Sequence, residues 1–242
     1  TCRVVWLTPL RALAQNTVDS LSAPLVELGS GLEVGSRTGD TSAYRRAKLR
    51  DKLPFALVTT PESLSLMLTY EDSRQKFSDL RCIVIDEWHE LMGSKRGVQT
   101  ELCVARLRRW APKLRIWGVS ATLGNLREAR DVLLGTGSGR GVLIDCDERR
   151  PIEVTTMVPV SIDRFPWGGH LGLGMIKRVV EALRNGGSTL VFTNTRSQTE
   201  IWHQALLDED PSLQEKIAVH HGSLAREDRL ETERRLMNGE LL

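Results

Sequence analysis

The chain has 242 residues, of which 40% are hydrophobic and 26% are charged, and its formal net charge at pH 7 is +2. This composition is typical of a folded globular protein, and no apolar run approaches the roughly 18 residues that a membrane-spanning helix needs. The small net charge excludes a strongly basic or acidic protein, so a nucleic-acid partner would have to be bound through local basic clusters such as 44–52 and 106–115.

Short apolar runs, several of them rich in β-branched residues, alternate along the chain with longer helical patterns. The predicted strands are 2–7, 55–59, 81–85, 114–119, 188–192 and 216–220. Runs that are apolar throughout are typical of parallel strands covered by helices on both faces. The alternation therefore predicts an α/β fold built on doubly wound parallel sheets.

Helix start and stop signals lie between the predicted strands. Thr8-Pro9 and Thr60-Pro61 each place an N-cap residue before a proline at the first helical position. Ser197 and Glu200 have the spacing of a capping box. Two helix ends are predicted, at Asn185-Gly186 and at Asn238-Gly239.

A polar turn at 148–151, followed by prolines and a glycine pair up to 169, interrupts this alternation. We predict a first domain at 1–147, a linker at 148–170 with one further strand at 153–158, and a second domain at 171–242. Residue 2 already lies in a predicted strand, and the chain stops directly after a helix end. We therefore expect both domains to be incomplete parts of a longer protein.

The four cysteines are Cys2, Cys82, Cys103 and Cys146. They are widely spaced and contain no C-x-x-C pair, which argues against a zinc site. We expect reduced thiols, the first three of them in the core, in a cytoplasmic protein.

The strongest local signal is the tetrapeptide Asp86-Glu87-Trp88-His89, which directly follows the apolar run 82–85. Its acids therefore lie at the carboxyl end of a strand, where doubly wound sheets bind ligands. Asp86 is suited to hold the Mg²⁺ of a bound nucleotide, and Glu87 to orient and deprotonate the attacking water. Taken alone, the four residues are equally compatible with an acidic turn.

A second strand end supplies the context for this tetrapeptide. The run 114–119 leads directly into Ser120-Ala121-Thr122, whose hydroxyls can form hydrogen bonds with His89. Alone, these three residues predict only a helix cap. Together with the tetrapeptide, at this spacing, they resemble the second and third motifs of the superfamily 2 DExH helicases.

Further helicase motifs follow in the expected order. The matching segments are Thr8-Pro9-Leu10-Arg11-Ala12-Leu13 (motif Ia), Thr38-Gly39-Asp40 (the next loop), Thr60-Pro61-Glu62-Ser63 (motif Ib), 191–196 (motif IV) and 220–224 (before motif V). Within the superfamily the chain resembles the Lhr (large helicase-related) group, particularly its bacterial ligase-associated branch. This resemblance rests on Trp88, the run 90–99, the segment Pro166-Trp167-Gly168-Gly169-His170 and Asn194-Thr195-Arg196.

The resemblance implies two RecA-like domains in tandem that bind ATP and Mg²⁺ in the cleft between them. It also implies movement on single-stranded DNA with 3′→5′ polarity and unwinding of DNA or RNA:DNA duplexes. A repair role beside a DNA ligase and a nuclease is implied too, with no membrane partner.

The resemblance also implies two sets of site residues. The catalytic set is Asp86, Glu87, His89, Ser120 and Thr122, with Asp86 and Glu87 also at the metal. The nucleic-acid set is Thr8, Pro9, Arg11, Gly39, Asp40, Thr60, Pro61, Glu62, Ser63, Thr193, Asn194, Thr195, Arg196, His221, Gly222 and Ser223. Helix N-termini of this kind offer free amides to a backbone phosphate.

The chain departs from the family pattern in two respects. It contains no Gly-Lys pair and hence no G-x-x-x-x-G-K-[ST] phosphate loop, which the family places upstream of motif Ia. Motifs V and VI, with the arginine finger, would follow residue 242. We therefore expect no ATP hydrolysis by this segment alone, which leaves a non-catalytic nucleic-acid-binding segment as one alternative. A translocase subunit that does not separate strands is the other, whereas a dinucleotide-dependent oxidoreductase is excluded because no correctly placed G-x-G-x-x-G occurs.

Several aromatic and basic residues carry weaker expectations. We expect Trp6, Trp110, Trp117 and Trp202 to pack in the core rather than to stack on bases. Adjacent residues on a strand face opposite ways, so His220 and His221 are not expected to share a metal. Contact of Lys95 and Arg96 with nucleic acid is left open.

Overall fold

The computed structural model describes residues 1–121, 123–135, 141–145, 152–158 and 172–242. The chain divides into two compact units, Thr1–Asp147 and Glu148–Leu242. Among the described residues, no helix is both long and apolar enough to cross a bilayer. The assignment of 1–147 and 171–242 as helicase domains stays a prediction, and most of the predicted linker lies outside the described ranges.

The first unit contains a five-stranded parallel sheet with the order β2-β3-β1-β4-β5. The strands are β1 (Val4–Leu7), β2 (Val34–Arg37), β3 (Ala56–Thr59), β4 (Cys82–Ile85) and β5 (Arg115–Gly118). All four pairings are parallel, so the carboxyl ends of the strands form one edge, here called the upper edge, and their amino ends form the lower edge. The α/β fold predicted from the sequence is confirmed.

Helices connect the strands and cover the sheet of the first unit. They are α1 (Arg11–Glu27), α2 (Ala43–Asp51), α3 (Pro61–Met67), α4 (Ser73–Phe77), α5 (Trp88–Leu91), α6 (Lys95–Trp110) and α7 (Leu126–Leu134). The core includes Val5, Leu57 and Ile83 from three adjacent strands, each fully buried. Burying one such side chain contributes about 1.5–3 kcal/mol, which explains why these short strands hold the centre of the sheet.

The second unit is helical within the described residues. It contains a short 3₁₀ turn at Leu173–Met175, α8 (Ile176–Asn185), α9 (Arg196–Glu209), a second 3₁₀ turn at Pro211–Leu213, and α10 (Arg226–Met237). Its smaller core is formed by Val180, Leu183, Leu206 and Leu213.

Four of the six strands predicted within the two domains are present, whereas the other two and the additional strand predicted in the linker are wrong. The described residues of 153–158, 188–192 and 216–220 form no strand. A strand requires a ladder of hydrogen bonds to a neighbour, and none of these runs has one in the described chain. The run 216–220 has a single backbone bond of this kind, from the Leu242 amide to the Lys216 carbonyl at 2.9 Å, and Leu190 and Phe192 are 66% and 87% exposed. In contrast, the edge strand β2 was not predicted.

Most helix boundaries agree with the sequence signals, with two corrections. Thr60 caps α3 by accepting a hydrogen bond from the Ser63 amide, and α8 and α10 end as predicted. Thr8-Pro9 does not begin a helix, because the Thr8 hydroxyl accepts from the Leu10 amide in a turn and α1 begins only at Arg11. The cap of α9 is Thr195, which accepts from Gln198, rather than Ser197.

The cysteines within the described ranges are free thiols. Cys2 and Cys103 are buried, as predicted, whereas Cys82 is half-buried, and Cys146 lies outside the described residues. Burial raises the pKa of Cys2 to about 12 and that of Cys103 to about 11, so both remain protonated near neutral pH.

Candidate functional site

The carboxylate of Asp86 lies at the upper edge, directly after β4. The Asp86 amide donates to the carbonyl of Leu7 at 2.8 Å, which continues the β1–β4 ladder past the strand end. The carboxylate accepts two further hydrogen bonds, from the Glu87 amide to Oδ1 (3.0 Å) and from Trp6 Nε1 to Oδ2 (3.2 Å). Each oxygen keeps a further lone-pair direction, so a fixed carboxylate remains able to bind hydrated Mg²⁺.

Glu87 adopts a left-handed backbone conformation with φ of +47°, the only such non-glycine residue in the described chain. This conformation costs a non-glycine residue about 1–2 kcal/mol, and it turns the chain sharply between β4 and α5. The Glu87 side chain is 38% exposed, and its Oε2 lies 3.4 Å from Nδ1 of His89. Strain of this kind is characteristic of functional sites.

His89 joins the loop after β4 to the loop after β5. Its Nδ1 lies 3.1 Å from the Ser120 hydroxyl and accepts a hydrogen bond of 3.3 Å from the Ala121 amide. Because an amide can only donate, Nδ1 is the acceptor in this arrangement, and the ring proton of the neutral form is on Nε2. The expected bond to Ser120 is present, whereas Thr122 lies outside the described residues.

Trp88 holds the same turn in place through two hydrogen bonds. Its amide donates to the Val119 carbonyl at 2.9 Å, and its indole donates to the Ala129 carbonyl at 3.0 Å. With 2% exposure it is a core residue. Trp88 therefore ties the turn to β5 and α7 and is not accessible to nucleic acid.

The loops after β1 and β2 contact each other at the upper edge. The Thr8 amide donates to Thr59 at 2.9 Å, which extends the β1–β3 ladder. Arg11 Nη1 forms an exposed ion pair of 3.2 Å with Asp40. A Cβ atom on Gly39 would lie 2.9 Å from Cζ of Arg11, so a larger residue there would displace the Arg11 guanidinium.

The segment 60–63 is joined to the start of α6. Arg96 donates from Nε and Nη2 to the two carboxylate oxygens of Glu62, at 2.5 and 3.3 Å. Burial alone would raise the pKa of Glu62, but hydrogen bonds from Arg96 and from nearby donors lower it below its ordinary value. Arg96 is thus engaged by a carboxylate, while Lys95 is exposed and has no carboxylate partner among the described residues.

The predicted residues of the second unit form a separate cluster around the start of α9. Arg196 Nη1 donates to the Ser223 hydroxyl at 2.5 Å, and Gly222 lies beside the same guanidinium. Nε2 of His221 lies 2.8 Å from Glu200, and its Nδ1 accepts from the Ser223 amide at 3.3 Å. The segment 221–223 is therefore held against α9.

The neighbouring motif residues are also hydrogen-bonded. The Thr193 hydroxyl bonds to Thr199 at 2.7 Å, and the Asn194 amide donates to Gln198 at 3.1 Å. His220 pairs with Glu233 at 2.9 Å, so the two adjacent histidines contact different carboxylates.

Metal binding at the upper edge would depend on ligands from outside the chain. In the described residues, no group of three or more His, Cys, Asp or Glu side chains could hold a metal ion by itself. Mg²⁺ usually keeps several waters and binds through one or two carboxylates together with nucleotide phosphates. Asp86 and the adjacent Glu87 fit that requirement.

Residues 1–131 match the DEAD/DEAH box helicase family. The chain belongs to this family. The Lhr-Core ATP-dependent helicase of Sulfolobus acidocaldarius is 34% identical over 250 residues, covering 98% of this chain and 28% of that protein. The Lhr helicase/uracil glycosylase of Escherichia coli is 32% identical, and the match covers 100% of this chain and 19% of that protein. This helicase chain thus spans less than a third of the length of these relatives.

Solved helicase structures have the same fold. The Lhr helicase of Mycobacterium smegmatis, bound to single-stranded DNA and AMP-PNP, superposes with a TM-score of 0.71 at 28% identity over 99% of this chain and 33% of that one. The helicase MrfA bound to DNA gives a TM-score of 0.77 at 23% identity, over 100% of this chain and 35% of that chain, which supports the fold alone. The RecA-like helicase fold and the resemblance to Lhr are confirmed.

The contact between Trp6 and Asp86 was missed by sequence reasoning, which assigned Trp6 to core packing. In the register of β1 and β4, Trp6 lies opposite Val84, two residues before Asp86. Side chains two residues apart on a strand share a face, so this contact could have been found once the two strands were known to be neighbours. Trp117, also expected in the core, is 54% exposed.

Proposed function

We propose that the protein containing this chain is an ATP-dependent helicase that couples ATP hydrolysis to movement on single-stranded DNA. The observation that carries the proposal is the pair of contacts from His89 to Ser120 and Ala121, which connects the acidic turn to the next strand end. Membership of the DEAD/DEAH box family supports it. Its relatives are ATP-dependent helicases, and an Lhr structure contains single-stranded DNA and AMP-PNP.

The acidic turn performs the chemistry in this proposal. Asp86 would hold Mg²⁺, because the hydrogen bonds from Trp6 and from the Glu87 amide fix the orientation of its carboxylate. Glu87 accepts a proton from the water that attacks the terminal phosphate of ATP. Mg²⁺ supplies charge neutralisation on the phosphates when it is bound.

His89 takes no part in proton transfer in this scheme. It connects the turn after β4 with Ser120 and Ala121 after β5, so a change at one loop alters the other. We assign to it, with Ser120 and Thr122, the coupling of hydrolysis to movement.

Two groups of residues are proposed to hold the DNA strand. The group in the first unit comprises Thr8, Pro9, Arg11, Gly39, Asp40, Thr60, Pro61, Glu62 and Ser63. The group in the second unit comprises Thr193, Asn194, Thr195, Arg196, His221, Gly222 and Ser223. Contacts of this kind reach mainly phosphates, so little sequence preference is expected.

The finer features of the proposal rest on the resemblance to the Lhr group. They are 3′→5′ polarity, action on DNA or RNA:DNA duplexes, a repair role beside a ligase and a nuclease, and a cytoplasmic location. The free thiols of Cys2, Cys82 and Cys103 are compatible with a reducing compartment.

The test is strand displacement by the purified full-length protein on duplexes with a 3′ or a 5′ single-stranded tail. We expect ATP-dependent displacement from the 3′-tailed substrate. Glu87→Gln serves as the matched control, because glutamine keeps the size of the side chain but cannot accept the proton. It should bind ATP and DNA normally while turnover falls by a factor on the order of 10²–10⁴.

Two outcomes would count against the proposal. Removal of a protein block from DNA without strand displacement would identify a translocase that does not separate strands. Near-normal turnover in Glu87→Gln would remove that carboxylate from the mechanism.

A further inference from the structure

The lower edge of the sheet in the first unit carries a group of unpaired basic side chains. We call this group, formed by Arg74, Arg81, Arg106, Arg109, Lys113 and Arg115, the lower basic surface. All six residues are exposed, and none forms an ion pair with a carboxylate in the described part of the chain. Two nearby acids are already engaged, since Asp72 pairs with Lys76 and Asp79 with Arg3.

Three of these arginines line a cleft between α4 and α6. Arg74, Arg106 and Arg109 surround it together with Ala105 and Trp110, and its volume is about 480 Å³. No acidic residue lines it. The cleft therefore concentrates positive charge beside the aromatic ring of Trp110.

Arg106 is held in a defined position within the cleft. Its Nη1 donates to the Leu68 carbonyl at 3.2 Å, and its guanidinium lies 5.9 Å from the centre of the Trp110 ring. Four of the five guanidinium N–H groups remain available after the single bond to Leu68. A fixed arginine loses less conformational freedom when it binds an anion.

The cleft is far from the candidate active site. Helix α6 begins with Lys95 just after the upper edge and ends with Trp110, shortly before β5 begins. At 1.5 Å per residue, the fifteen steps between these ends span about 22 Å. An anion in the cleft therefore occupies a place separate from the loops after β1, β3 and β4.

We propose that the lower basic surface binds the phosphate backbone of a nucleic-acid strand, as a second contact away from the upper edge. Arginine forks bind phosphate through paired hydrogen bonds, and an indole beside them can stack on a base or sugar. Six positive charges spread over a helix end and two strand starts match a polyanion with regularly spaced charges. The choice of nucleic acid over an acidic polypeptide rests on the proposed function.

The test compares DNA strands of two lengths on the full-length protein. The variant is Arg74→Glu/Arg109→Glu, and the control is Lys177→Glu/Lys216→Glu, which reverses two exposed charges of the second unit that belong to neither proposed DNA-binding group. Affinity is measured with 10- and 40-nucleotide single strands at several salt concentrations. Circular dichroism checks that both proteins are folded, and Arg74→Gln/Arg109→Gln provides a milder version of the same change.

We expect the test variant to bind the 10-nucleotide strand normally and the 40-nucleotide strand about tenfold more weakly. Its salt dependence on the longer strand should be shallower by about 1.4, because each phosphate contact on a single strand contributes roughly 0.7 to the slope. The control should behave like the wild-type protein on both strands.

Three results would overturn the proposal. They are unchanged affinity for the longer strand, equal losses on both lengths, and a matching loss in the control. Retained DNA binding with loss of binding to poly-glutamate would assign the surface to an acidic polypeptide instead. A different result separates this inference from the proposed function. If the wild-type protein displaces no strand but the variant still loses affinity only for the longer strand, the proposed function is rejected and the lower basic surface remains a DNA contact.

Discussion

The indole of Trp6 and the carboxylate of Asp86 are hydrogen-bonded at 3.2 Å across the adjacent parallel strands β1 and β4. The carboxylate that would bind Mg²⁺ is therefore oriented by a residue outside the DExH tetrapeptide. A hydrogen bond to a charged group contributes about 1.5–3 kcal/mol, which is enough to affect how well Asp86 binds a hydrated cation.

Trp6→Phe in the full-length protein should raise the Mg²⁺ concentration for half-maximal ATPase activity about tenfold, as expected for ~1.4 kcal/mol. Phenylalanine keeps the aromatic packing and removes only the donor. Trp117→Phe is the matched control, because that tryptophan is 54% exposed on β5. An unchanged Mg²⁺ requirement in Trp6→Phe would mean that the contact does not orient the carboxylate during turnover.

His89→Ala should preserve more ATPase activity than strand displacement. The substitution breaks the contacts to Ser120 and Ala121 while leaving both acids in place. Ser120→Ala should shift the ratio of the two activities in the same direction by a smaller amount, since the Ala121 amide still donates. If ATPase and displacement fall equally in His89→Ala, the coupling role is wrong.

Gly39→Ala should weaken binding of single-stranded DNA two- to threefold, or about 0.5 kcal/mol, and leave the DNA-independent ATPase unchanged. The new methyl group would lie 2.9 Å from Arg11 Cζ and must push the guanidinium away from Asp40. Gly187→Ala is a suitable control, because its Cβ would meet nothing within 4 Å. Fluorescence anisotropy with a labelled strand measures both, and equal affinities would exclude Arg11 from the interface.

Glu62→Gln should remove a pH-dependent contribution to stability. The pKa of this carboxyl is lowered in the folded chain, so its stabilisation is present above the unfolded pKa of about 4.3 and disappears as pH falls through the folded value. Both partners are partly exposed, so we expect at most about 1 kcal/mol. Thermal unfolding should show a lower Tm for the variant at pH 7 and convergence with the wild type as the pH falls through the lowered pKa of Glu62. A constant difference across that range would contradict this account.

The sequence was sufficient to predict a strand where that strand is apolar and lies in the centre of the sheet. The run 82–85 is apolar throughout, and it leads into the acids without a gap, so both β4 and the acidic turn that follows it could be predicted. β2 could not, because Val34–Arg37 has one apolar residue and pairs only with β3 at the edge of the sheet. Arg37 is nevertheless 6% exposed, with Nη2 donating to the Tyr70 hydroxyl, a contact that no local pattern indicates.

The remaining errors come from interactions that are distant in sequence. The runs 188–192 and 216–220 have strand composition, but strand formation depends on a neighbour that composition does not specify. The contact from Trp6 to Asp86 spans 80 positions, and it follows only from the order of the strands in the sheet. Motif spacing locates reacting groups along the chain, whereas strand order determines what orients them.

Three backbone hydrogen bonds continue the sheet past its strand ends, from Thr8 to Thr59, from Asp86 to Leu7 and from Val119 to Ile85, all within 2.8–2.9 Å. The loops that would contact DNA and ATP therefore begin at an upper edge whose neighbouring strands are already joined by hydrogen bonds. A displacement of the loop after β1 would therefore be transmitted through these bonds to the loops after β3 and β4.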